Sequence, residues 1–283
     1  MPRSITVSEI TKSFGRKLVL NRVNLDVRKG EIFGLLGPSG AGKTTLIKIL
    51  TGQLLQDRGT VNIYNTDTRH LSGDSRKCFG ITMDDFGVYE RLSCYENLKI
   101  FAELYGAAKD EINKALTKVG LAGESKTAAG KLSKGMRGRL KLARVFMADP
   151  DILFLDEPTS GLDPVSADAI HKMIITEKAH GKTVFLTTHS MAEAEKLCNH
   201  IALLHDGKIV ESGEPKEICR RHDHQRKLIV HLRDGRDLEI PHEKQSAGII
   251  EEFIRTGAAE TIHSSEPDLE AVFMELTGRE LSL

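Results

Sequence analysis

Gly37, Pro38, Ser39, Gly40, Ala41, Gly42, Lys43, Thr44 and Thr45 stand between an apolar run, Ile32 to Leu36, and an apolar helical stretch, Lys43 to Leu50. A glycine-rich loop between strand and helix is the context in which this spacing cradles phosphate. Glycines at 37, 40 and 42 let backbone N–H groups turn inward onto phosphate oxygens, and the helix N-terminus adds partial positive charge. From this position Lys43 reaches the β- and γ-phosphates of a nucleoside triphosphate, and the Thr44 hydroxyl is placed to ligate Mg²⁺. A second apolar run, Ile152 to Leu155, ends in Asp156-Glu157-Pro158. Carboxylates at the end of a strand are costly to bury without a cation. Asp156 is therefore the candidate Mg²⁺ holder, directly or through water, and Glu157 the candidate base that polarises the water attacking the γ-phosphate. Loop and carboxylates together predict an ATP-Mg site that hydrolyses ATP.

Such groups act together only if strand ends and helix starts bring them to one edge of a sheet. Short β-branched or apolar runs predict strands at Ile5 to Val7, Val23 to Val27, Ile32 to Leu36, Thr60 to Ile63, Ile152 to Leu155, Val184 to Thr187 and Ile201 to Leu204. Several are apolar throughout, which suits strands covered by helices on both faces. Helices are predicted at Lys43 to Leu50, Cys94 to Tyr105, Asp110 to Val119, Met136 to Ala148, Pro164 to His180 and Met191 to Leu197. Between about Asp84 and Asp149 helices follow one another without strands, which reads as a helical insertion. Beyond Pro215 a charged stretch leads to two short strands around Asp234-Gly235 and helices near Ala247 to Arg255 and Pro267 to Thr277. The expected architecture is α/β: a P-loop NTPase core over residues 1–220, with a mixed sheet, flanking helices and an insertion at about 84–149. A small α+β domain follows over 221–283.

Composition excludes several partners. Lys plus Arg equals Asp plus Glu at 40 each in 283 residues, so no overall field draws the chain to nucleic acid, and none is expected as a partner. No window approaches the roughly 18 apolar residues that span a bilayer. The first residues, MPRSITVSEI, lack the apolar run of a signal peptide. The four cysteines, Cys78, Cys94, Cys198 and Cys219, form no CxxC pair and suit a reducing cytoplasm with inert thiols.

With the loop and Asp156-Glu157 in place, the sequence resembles the nucleotide-binding subunit of ATP-binding cassette (ABC) transporters, over residues 4 to about 220. The remaining landmarks occur in family order. Leu132-Ser-Lys-Gly-Met136 is similar to the LSGGQ signature that caps the ATP of the opposing subunit; Ser133 and Gly135 match, Lys134 and Met136 do not. A serine hydroxyl, a glycine N–H and a helix N-terminus still suit a γ-phosphate. Ser160-Gly-Leu-Asp163 resembles the D-loop that communicates across the dimer. His189, in Thr187-Thr-His-Ser190, matches the switch histidine that contacts the γ-phosphate and orients Glu157. Phe14, in Lys12-Ser-Phe-Gly15, matches the aromatic that stacks on adenine. Asp84 stands where the family pattern has a glutamine that senses Mg²⁺ and the γ-phosphate; an aspartate can ligate Mg²⁺ there if the metal lies between it and the phosphate. Phe86 to Leu92 enters the insertion, where family members dock a coupling helix of the membrane subunit.

The resemblance implies that each chain carries half a site: Lys43, Asp156, Glu157 and His189 from one subunit, the signature around Ser133 from another. ATP would then join the chain to a second copy, or to a related cassette, at the inner face of the membrane on a separate integral permease. The tail Pro267 to Gly278, with Gly87 to Ser93, resembles cassettes serving drug, lipid-linked and antimicrobial-peptide exporters, so efflux is the expected direction. The alternative is a soluble, non-transport cassette ATPase such as a ribosome-associated factor, which family members build from tandem cassettes in one chain. A GTPase switch would need an Asn-Lys-x-Asp segment, and none occurs.

Overall fold

Alternating burial shapes the N-terminal strands. In the computed structural model, which describes residues 2–71, 78–83, 88–224, 227–265 and 267–278, strands β1 (Arg3–Phe14) and β2 (Lys17–Arg28) pair antiparallel. Val23, Leu25 and Val27 of β2 point inward and the residues between them outward, as a sheet with one wet face requires. β4 (Arg58–Ile63) pairs antiparallel with β1, and β5 (Thr66–Asp67) completes a sheet of order β2-β1-β4-β5.

The fully apolar runs behave differently. β3 (Ile32–Leu36), β7 (Ile152–Asp156) and β8 (Thr183–Thr188) are buried along their whole length. They sit in a six-stranded sheet of order β10-β9-β3-β8-β7-β6, with β6 (Phe79–Thr82), β9 (His200–His205) and β10 (Lys208–Gly213) as the other strands. The strands from β6 to β9 in that order run parallel. One core joins the two sheets: Ile5, Leu20, Val23 and Val61 meet Phe33, Phe154 and Phe185. The helix α1 (Lys43–Leu50) contributes Leu46, Ile47 and Leu50 to it. Each fully buried phenylalanine contributes roughly 1.5–3 kcal/mol by leaving water.

Among the described residues between β6 and β7, three α-helices follow one another: α2 (Cys94–Tyr105), α3 (Lys109–Lys118) and α4 (Lys134–Met147). A capping box between Ser93 and Glu96 starts α2, and Leu98, Ile112, Leu116 and Leu140 are buried within the bundle. α5 (Pro164–Ala179) and α6 (Met191–Leu197) return the chain to the core sheet. Among the described residues no helix is long and apolar enough to cross a membrane. Cys94, Cys198 and Cys219 are buried and outside any disulfide, and burial pushes the Cys94 and Cys198 thiols up, against reactivity. Asp84, with Asp85, Phe86 and Gly87, lies outside the described residues.

Contacts divide the chain into a unit ending at Ser212 and a smaller one beginning at Gly213. The smaller unit starts ahead of position 221 because α7 (Pro215–Arg221) packs on α9 (Leu269–Thr277). β11 (Lys227–Leu232) and β12 (Asp237–Pro241) pair antiparallel around Asp234-Gly235, and β13 (Ala259–Ser264), which follows α8 (Ala247–Arg255), joins the other edge of β11. Val230, Leu232 and Ile240 centre its core.

Candidate active site

Parallel order places three strand ends side by side. β3 ends at the glycine loop, β7 at Asp156 and the intervening β8 at Thr188, one residue before His189. Ligands of open α/β sheets bind at such C-terminal edges. Two glycines of the loop answer to backbone constraints. A Cβ on Gly37 would sit 2.2 Å from the Leu204 carbonyl oxygen, and Gly42 has φ 111° with a Cβ position 2.8 Å from Leu20 Cδ2. No side chain caps α1 and its first turn holds no acidic residue, so its N-terminal amides remain for an anion. Ala41 N donates to the Pro38 carbonyl at 3.2 Å and closes the loop.

Lys43 is buried, 6% exposed. Its Nζ donates to the carbonyl of Gly37 at 2.6 Å and of Pro38 at 3.3 Å, and lies 3.1 Å from Glu157 Oε1. Glu157 Oε2 lies 2.6 Å from His189 Nδ1, so the carboxylate is held between a lysine and an imidazole. Its backbone takes the left-handed region, φ 48°, and Glu157 N donates to both the carbonyl and the hydroxyl of Thr187, each at 3.1 Å. A non-glycine residue held there stores strain that the surrounding bonds must support. Thr44 Oγ1 donates to Asp156 Oδ2 at 2.8 Å. Thr187 Oγ1 donates to the other oxygen, Asp156 Oδ1.

A cleft of about 550 Å³ collects these groups: Ser39, Gly40, Gly42, Lys43, Thr44, Thr45, Glu157 and His189 line it, with Phe14, Lys17 and Ser160. Phe14 is 50% exposed, with Lys12 Nζ 5.5 Å from its ring centre, so it is a surface aromatic at the rim rather than a core side chain. Ser133, Gly135 and Asp163 do not line this cleft. Ser133 caps α4, accepting from Met136 N at 3.2 Å, and Asp163 caps α5, accepting from Ser166 N at 2.9 Å. Bonding with Ser166, through side chain and backbone, holds the Asp163 carboxyl below the usual carboxylate range. The two helix starts are locked together, because a Cβ on Gly135 would lie 2.4 Å from Ser166 Oγ. Lys134, which departs from the signature pattern, packs its ammonium against Gly161, 2.2 Å from where a Cβ would be.

Two features escape the sequence reading. Thr187 is fully buried and holds the Asp156 carboxylate and the Glu157 backbone N–H; a hydroxyl near the end of an apolar strand is its one signal. Glu193, 5% exposed, accepts from Thr159 Oγ1 at 2.5 Å and lies 2.9 Å from His171 Nε2, tying the helix after His189 to the Ser160 turn and to α5. Thr187→Val keeps the volume and removes the hydroxyl. Leaving buried polar groups one bond short costs about 1–3 kcal/mol, so turnover should fall about tenfold while ATP affinity changes little. Unchanged steady-state ATP hydrolysis would remove Thr187 from the positioning role.

Residues 20–160 match the ABC transporter family. The chain is 42% identical over 261 residues to the fluoroquinolones export ATP-binding protein of Mycobacterium tuberculosis, covering 90% of this chain and 86% of that protein. It is 34% identical over 298 residues to the bacitracin transport ATP-binding protein BcrA of Enterococcus faecalis, covering 97% and 96%. A solved ATP-binding cassette, captured as a dimer in a post-hydrolysis state with ADP and Pi, superimposes with a TM-score of 0.66 at 25% identity, over 74% of this chain and 98% of that one.

Proposed function

Because the chain belongs to the ATP-binding proteins of ABC transporters, we propose that it hydrolyses ATP to drive efflux of a drug, antibiotic or peptide through a separate membrane permease. The observation that carries the catalytic part is the cleft in which Glu157 is bonded by His189 on one oxygen and approached by Lys43 on the other. An incoming triphosphate exchanges Lys43's bonds to Gly37, Pro38 and Glu157 for phosphate oxygens, and thereby releases Glu157 to accept a proton from the attacking water. His189 keeps the carboxylate aimed and adds a contact to the γ-phosphate. Phe14 offers its exposed face to the adenine.

The hydroxyl of Thr44 and the carboxylate of Asp156 are hard oxygen donors 2.8 Å apart, a pair that suits Mg²⁺. Thr44 and Asp156 would hold the ion, which would neutralise charge on the phosphates, and Thr187 fixes the Asp156 carboxylate through its hydroxyl. Asp84 is proposed as a further ligand.

Ser133, Gly135 and Asp163 do not line the cleft that holds Lys43, which supports a γ-phosphate cap supplied by a second copy or a related cassette. ATP then favours the closed pair, and loss of the γ-phosphate releases it. We place the chain at the cytoplasmic face of the membrane, held there by its permease. The export relatives support direction and substrate class. Affinity purification of the tagged chain from detergent-solubilised membranes is expected to recover a polytopic membrane protein that stimulates its ATPase activity. Recovery with ribosomes instead would support the soluble alternative.

A further inference from the structure

The smaller unit carries a feature with no part in nucleotide chemistry. His222, the C-cap of α7, and His224, two residues on, turn toward Glu275 of α9. His222 Nδ1 lies 3.4 Å and His224 Nε2 3.1 Å from the same oxygen, Glu275 Oε1. Among the described residues this is the one place where three such donors converge, all within 4.8 Å of one another. We propose that His222, His224 and Glu275 form a binding site for a divalent transition cation of the Zn²⁺ type, which pins the end of α7 to α9.

Donor spacing supports the assignment. Zn²⁺ binds imidazole nitrogen and carboxylate oxygen at about 2.0–2.1 Å in a tetrahedron, whose ligands are then about 3.3–3.4 Å apart. Two of the three edges already have that length to within a few tenths of an ångström. The third closes by rotation of His224, whose side chain is 65% exposed and free to turn. Two imidazoles and one carboxylate suit a borderline cation better than Mg²⁺ or Ca²⁺, which take all-oxygen sets. The frame is firm. His222 N donates to the carbonyls of Ile218 and Cys219, and Ile218, Leu269, Val272 and Phe273 are fully or almost fully buried.

Such a tie suits a unit of this size. Units below about 70–80 residues gain little from one hydrophobic core and commonly add a metal or disulfides. The cluster around Val230, Leu232 and Ile240 contains no residue of α7 or α9. Metal and proton compete for the same imidazole nitrogens, so metal binding releases protons.

The test is calorimetric titration of the full chain with ZnCl₂, free of nucleotide and Mg²⁺, for the wild type and for His224→Ala and Glu275→Gln. Both altered side chains are substantially exposed, and an unchanged far-ultraviolet circular dichroism spectrum of the metal-free chain checks that each variant is folded. The expected result is one Zn²⁺ per chain at neutral pH, weakened at least about tenfold in each variant. Co²⁺ should give the intense visible absorption of a tetrahedral site in the wild type alone. No stoichiometric Zn²⁺ binding, or binding that both variants leave unchanged, would overturn the proposal.

Discussion

Glu157→Gln is expected to bind ATP-Mg with nearly wild-type affinity and to lose turnover by about a hundred- to ten-thousandfold, the usual contribution of a general base. Glutamine fills the same volume and still offers an oxygen to Lys43 and a polar partner to His189, which lie 3.1 Å and 2.6 Å from the native carboxylate. What it lacks is the capacity to take a proton from water. Steady-state phosphate release measures the loss, and equilibrium nucleotide binding shows that the site is otherwise preserved. Full hydrolysis by this variant would assign the base role elsewhere. The strained backbone at φ 48° and the twofold anchor on Thr187 are unchanged by the substitution, so a collapse of the site cannot mimic the expected result.

Lys43→Ala should act at the earlier step, nucleotide binding. Charge-assisted hydrogen bonds are worth about 1.5–3 kcal/mol each, so removing the ammonium should weaken ATP binding by about a hundredfold or more. Lys43 also neutralises Glu157, but Glu157 keeps His189 as a partner and is 18% exposed in its side chain, so the fold should survive. The melting temperature is therefore expected to move by a few degrees at most, while titration with a fluorescent nucleotide shows little binding. Wild-type affinity in this variant would mean that the glycine loop is not the phosphate cradle.

How far these groups were legible in the sequence depended on whether the signal was local. Lys43–Leu50, Cys94–Tyr105 and Met191–Leu197 have the bounds that the sequence predicts, because glycines or caps such as Ser93 and Ser190 mark their starts. Continuous apolar runs likewise announced β3, β7 and β8. β6 gave no strand signal, since Gly80 interrupts it; the glycine is there because a Cβ would sit 2.2 Å from Val145 Cγ1. β13 reads Ala259-Glu-Thr-Ile-His-Ser, with little to bury beyond Ile262. In the site, phosphate loop and carboxylates could be named from their spacing, but Thr187, Glu193 and His171 act through tertiary contacts that no spacing encodes. Likewise, only the fold shows that Ser133 and Gly135 do not line the cleft of Lys43.

A cleft lined without them supports the central claim, that one chain supplies half of each ATP site. Light scattering on the Glu157→Gln chain, with and without saturating ATP-Mg, tests it most directly. The expected result is a single 31.3 kDa chain without nucleotide and a species of twice that mass with it, returning to single chains when ADP replaces ATP. A 31.3 kDa particle that holds ATP-Mg stoichiometrically and does not pair at any concentration would contradict the account.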